Sequence, residues 1–219
     1  MDDYQQPIDS IKDIKQMMER SSRFISLSGW SGVAAGVCAL AGAWFASDII
    51  TKNGGPYGEH ISVYRADHAD NGLLDLQVFM GSKLFLIAAL TFAAAFFLSF
   101  FFTWTRSKKT GTPVWGSSSQ RLLINVLGPM VAGGLFLLRM IQLGIVGLIA
   151  PGCLIFYGLA LVNASKYTLG EVRYLGYANI LLGIINCWFI GYGLYFWAAG
   201  FGVLHIIYGI IMWYKYERQ

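Results

Sequence analysis

Charge is what this chain has least of. Only 13% of its 219 residues are Asp, Glu, Lys or Arg, against about 25% in soluble domains. Asp and Glu are missing altogether from six long apolar stretches, about 24–46, 82–105, 122–138, 143–165, 175–193 and 195–214. A deficit spread so widely excludes a single water-soluble core and points to a membrane protein. Cysteine is scarce as well: Cys38, Cys153 and Cys187 all fall inside apolar runs. They read as small buried thiols rather than a disulfide framework, and no pair has Cys-x-x-Cys spacing. The sequence also lacks a P-loop, G-x-S-x-G, H-E-x-x-H and G-x-G-x-x-G. Phosphate-loop, serine-hydrolase, zincin and dinucleotide chemistries therefore have no foothold. The expectation is a non-enzymatic protein with no cofactor and no metal.

What is present is hydrophobic length. A spanning helix needs about 20 mostly apolar residues, and all six runs qualify. The predicted fold is all-α: a polytopic membrane protein with six transmembrane helices in antiparallel hairpins. Tight connections around 139–142 and at Gly193-Leu194 pair the third run with the fourth and the fifth with the sixth. The organisation expected is a cytoplasmic segment 1–23, a transmembrane domain 24–214 with one large extracytoplasmic loop at 47–81, and a tail 215–219. The first run exceeds the ~7–15 residues of a signal-peptide core and has no A-x-A site, so it is expected to stay as an anchor.

Basic residues set the orientation. Of the 16 Lys and Arg, Lys52, Arg65, Lys83 and Arg139 fall on one side and the other twelve on the opposite side. The richer side faces the cytoplasm, which predicts N-in and C-in in a bacterial inner membrane. That placement accounts for the net charge of +4, so direct nucleic-acid binding is not expected. Before the first run, Ile8, Ile11, Ile14, Met17 and Met18 recur near helical spacing, and Pro7 suits a first turn. This amphipathic helix would lie on the cytoplasmic face, on the bilayer or on a partner protein. In the outer loop, Glu59, His60, Asp67, His68 and Asp70 cluster without a metal-ligand spacing. A solvated loop is expected there.

The first run carries two stripes. Ser28, Ser31, Gly32, Ala35, Gly36, Ala39, Gly42 and Ala43 repeat at three and four, while Trp30, Val33, Val37, Leu40 and Trp44 form a bulky stripe. Lipid supplies no hydrophobic drive between helices, so small faces that let backbones approach are the expected packing surface. The bulky stripe would face lipid. Packing within the chain is the leading use of Ser28, Gly32, Gly36 and Ala39; a homodimer seam is the alternative. The stretch ERSSRFISLSG (19–29) that opens this helix resembles a family of six-span membrane proteins of Bacteroidota with no assigned activity. The resemblance implies a winged-helix regulator as the protein partner and transfers no active-site residue.

Ligand or cavity candidates are few. His205 sits in the sixth run, and an ionisable group inside a span is a functional candidate by default. Counting from a turn at Leu194, Asn186 falls at similar depth and could hydrogen-bond it. Pro129 and Pro151 lie equally far from Met140, so facing kinks could open a midplane cavity. The polar groups of Asn125 and Tyr157 join this list. FYGLAL (156–161) also resembles IYGIIM (207–212), a faint sign of a duplicated hairpin. Arg139 is expected to snorkel to the outer interface beside Gln142. The leading functional expectation is a regulator or sensor that binds a partner at its cytoplasmic face. The rivals are a small-molecule or lipid transporter with a cavity near Pro129 and Pro151, and an intramembrane enzyme or cofactor binder around His205.

Overall fold

The computed structural model describes residues 28–52, 77, 79–111 and 115–218, and all regular structure in them is helical. The amphipathic segment and the acidic outer loop lie outside the described residues. Among the described residues six helices follow one another: α1 Gly29–Lys52, α2 Lys83–Thr110, α3 Ser117–Gln142, α4 Ile149–Ala164, α5 Val172–Trp188 and α6 Gly193–Tyr216. Five segments are long and apolar enough to cross a membrane: α1, α2, α3, α4 with its leading 3-10 turn Val146–Leu148, and α6. Among the described residues the architecture is all-helical, with the helix lengths and apolarity of a membrane protein. Helix α5 has 17 residues and is shorter than these.

Helix limits differ from the apolar runs for local reasons. α1 continues to Lys52 because Lys52 pairs with Asp48 at 2.7 Å and Thr51 donates to the Ser47 carbonyl, both one turn back. α2 starts where the Ser82 hydroxyl accepts the Phe85 N–H at 3.1 Å, and it stops at Gly111, whose φ is 67°. The turn between α5 and α6 falls at 189–192, not at Leu194. Aromatic residues occupy that turn, so hydropathy does not reveal it.

α6 is the link in the bundle. α1 packs between α2 and α6, α4 packs against α3 and α5, and the first turns of α6 touch α4. Backbones meet most closely at two glycine crossings. A Cβ on Gly29 would lie 2.5 Å from the Gly209 carbonyl oxygen, and one on Gly209 would lie 2.6 Å from that of Gly29. Gly158 of α4 and Gly176 of α5 exclude a Cβ on each other in the same way, at 2.6 and 2.7 Å. The two Tyr-Gly pairs of the faint repeat thus each place their glycine at a helix crossing. The small stripe of α1 divides its contacts: Gly32 and Gly36 face α6, while Gly42 faces Thr91 of α2. The bulky stripe divides too. Trp30, Val37 and Trp44 are exposed, but Val33 lies against Gly209 and Leu40 against Gly202. α2 buries little, and its Phe92, Phe97 and Leu90 are more than 60% exposed. Lipid is the solvent that suits such a helix.

One end of the bundle is tied by charge. The Glu217 carboxylate accepts the Gly29 N–H at 2.5 Å, the Ser28 hydroxyl at 3.1 Å and Arg106 Nη1 at 2.6 Å. A carboxylate from the end of α6 thereby caps the N-terminus of α1, where the helix dipole favours negative charge, and holds the end of α2. Beside it, Glu171 accepts from Lys215 and, at 2.9 Å, from the Tyr216 hydroxyl. Partial burial would raise the Glu171 carboxyl, but the Lys215 and Tyr216 hydrogen bonds outweigh it and hold it below its usual value.

Candidate functional site around His205

The site begins with a wide turn. Residues Ala198–Val203 of α6 wind as a π-helix, a feature that displaces carbonyls and often marks functional positions. His205 follows directly. Its Nδ1 donates to the Gly200 carbonyl at 2.9 Å, and its Nε2 lies 2.7 Å from the Tyr157 hydroxyl of α4. A carbonyl can only accept, so Nδ1 carries the hydrogen. In the neutral ring Nε2 then accepts from Tyr157. Both ring nitrogens are satisfied inside a buried site.

Aromatic rings enclose the pair. Trp197, Phe201 and His205 repeat every fourth residue on one face of α6; Trp197 and Phe201 have centroids 5.4 Å apart, and the Tyr157 ring sits 5.0 Å from Phe201 and 5.5 Å from His205. Gly200 makes room on the α5 side. A Cβ there would come within 2.7 Å of Asn179 Oδ1. Asn179 is fully buried; its Nδ2 donates to the Leu175 carbonyl at 2.9 Å, and its Oδ1 has no hydrogen-bond partner.

Asn186 is not the partner of His205. Asn186 lies beside Gly193 and Asn179 faces Gly200, so His205 lies 12 residues along α6 from the level of Asn186, roughly 18 Å of axial rise. The cause is the turn at 189–192, which shifts the register assumed from Leu194. Asn186 is fully buried and both its amide atoms lack a partner.

The prolines do not meet either. Gly133 packs on Phe156 and Gly152 on Leu137, so Pro129 lies level with Ala160, nine residues along α4 from Pro151, or about 13 Å. Pro151 also occupies the first turn of α4, where no i−4 bond is lost. Of these two prolines, Pro129 is the one in a helix interior. Asn125 stands apart from His205, near the start of α3, where Asn163 Nδ2 donates to its carbonyl at 2.7 Å. Ser28, Gly32 and Gly36 belong to the α1 contacts already described, and Ala39 is buried on the same helix. Arg139 and Gln142 are neighbours at 3.3 Å.

Chemically, the site offers one imidazole, one phenol and an amide oxygen. No group of three metal-ligating side chains exists among the described residues, and both nitrogens of His205 are engaged. Sequence reasoning missed the π turn and Glu217. The only signals were the glycines of AAGFGV and a lone acid in the terminal YKYERQ. Comparison with protein-family models, curated proteins and solved structures finds no match to this chain.

Proposed function

We propose that this chain is a bacterial inner-membrane regulator or sensor, non-enzymatic, that binds a protein partner at its cytoplasmic face. In this reading α5 is the sixth span, its 17 residues rising about 25 Å, and both termini are cytoplasmic. The observation that carries the proposal is the Glu217 tie. It anchors the residue where the N-terminal amphipathic segment joins α1 to the ends of α2 and α6. A partner pulling on that segment would act on three helices at once. The Bacteroidota resemblance makes a winged-helix regulator the partner of first choice. The transporter reading loses the facing kinks it relied on.

The test is photo-crosslinking in cells from Ile11 and Ile14, with Ser62 in the outer loop as the control position. A protein adduct of one defined mass from the first two positions, absent from the third, supports the proposal. Adducts to lipid alone overturn it.

A further inference from the structure

We infer that the lipid-facing side of α6 binds one anionic phospholipid at the end tied by Glu217. Three cations at this end are carried on aromatic rings rather than on carboxylates. Lys108 Nζ lies 3.8 Å from the Trp104 centroid, Arg173 Cζ 4.9 Å from that of Tyr174, and Arg218 Cζ 4.9 Å from that of Tyr214. None of the three pairs with a carboxylate among the described residues. The two nearby carboxylates are committed elsewhere, Glu217 to Arg106 and Glu171 to Lys215. A cation seated on a ring keeps its charge available to an incoming anion.

The α6 site has a built apolar half. Ile210, Ile211, Tyr214 and Lys215 line a groove on its surface. Ile207, Ile211 and Tyr214 follow one another at four and three residues on one exposed face of α6, and Arg218, just past the helix end, lies over the Tyr214 ring. From Ile207 to Tyr216, the last residue of α6, the helix rises about 13 Å, close to the thickness of one leaflet of a ~30 Å hydrocarbon core. An acyl chain fits along Ile207 and Ile211. The phosphate then reaches Arg218, and the Tyr214 hydroxyl sits at headgroup level. A zwitterionic lipid brings its own cation to the same place and gains less. Among the described residues the two carboxylates at this end, Glu171 and Glu217, are both engaged, so they offer no anionic surface to Arg218 of a second copy.

Native mass spectrometry of the full chain, released from nanodiscs of mixed phosphatidylglycerol and phosphatidylcholine, tests the site. The wild type is expected to retain one phosphatidylglycerol with about fivefold preference, the value of one basic residue at an anionic surface. Arg218→Gln should bring retention to parity, while Arg121→Gln, an exposed cation elsewhere at this end, should leave the preference intact. Equal retention of both lipids by the wild type, or an unchanged preference in Arg218→Gln, overturns the proposal. So does displacement of the lipid by inorganic phosphate alone, or a lipid-free dimer.

Discussion

His205 shows what one polar residue requires in a bundle with no carboxylate beside it. Its two ring nitrogens are met by a carbonyl and a phenol, and the carbonyl belongs to the π turn of its own helix. Replacing His205 by Leu would strand the Tyr157 hydroxyl and the Gly200 carbonyl. Stranded buried groups cost about 1–3 kcal/mol in soluble proteins, although hydrogen bonds in membranes average nearer ~0.6 kcal/mol. His205→Gln keeps a donor and an acceptor and should stay closer to wild type. Thermal unfolding in detergent should therefore rank wild type, Gln, Leu. Equal midpoints would show that the hydrogen bonds contribute nothing. Absorbance of the purified protein checks the rival reading, because a stoichiometric chromophore lost in His205→Gln would make the ring a ligand. At the tied end, Glu171 gives a pH dependence of known sign. Its carboxyl is held low in the folded protein, so its contribution is present above the unfolded value near 4.5 and fades as pH falls through the folded value. Lys215 is exposed, so solvent screens the pair and its contribution is small. Melting midpoints between pH 6 and pH 3 should fall less in Glu171→Gln than in the wild type.

At the scale of elements, the sequence displays what depends on hydropathy and hides what depends on register. Runs of apolar residues mark α1 to α4 and α6 because a bilayer demands length. The turn before α6 is invisible for the converse reason: Phe189, Ile190 and Tyr192 are as apolar as the helices they join. That misplaced turn shifts Asn186 relative to His205. Pro151 reads as a kink because hydropathy cannot tell a first turn from a helix interior. The pairing of Tyr157 with His205 depends on how α4 and α6 cross, which no spacing within either helix encodes. The small stripe of α1 is readable, since glycine and alanine at three and four leave one face without bulk. Its split between α6 and α2 is not. Gly36→Leu should separate α1 from α6, because even a Cβ there would lie 2.6 Å from the Gly202 carbonyl. Val37→Leu, on an exposed position, should be tolerated. Detergent melting that treats the two variants alike would remove the stripe from the packing surface.

For the whole molecule the open question is which side is which. The Glu217 tie makes this a single binary choice. Ser28 and Arg106 both donate to Glu217, so the start of α1 and the ends of α2 and α6 share a compartment. Basic residues then decide. In the proposed six-span topology twelve of the 16 Lys and Arg fall on that side, and an excess of this kind marks the cytoplasmic face. That topology predicts an outward-facing loop between α1 and α2 and an inward-facing connection between α2 and α3. After replacement of Cys38, Cys153 and Cys187, a membrane-impermeant thiol reagent added to intact cells should modify Ser62→Cys. It should reach Ser117→Cys, at the start of α3, only after lysis. The reverse pattern would place Glu217 and the N-terminal segment outside the cell and remove the cytoplasmic partner with them. Labelling of both positions in intact cells would break the hairpin order itself, because α2 alone connects the two loops.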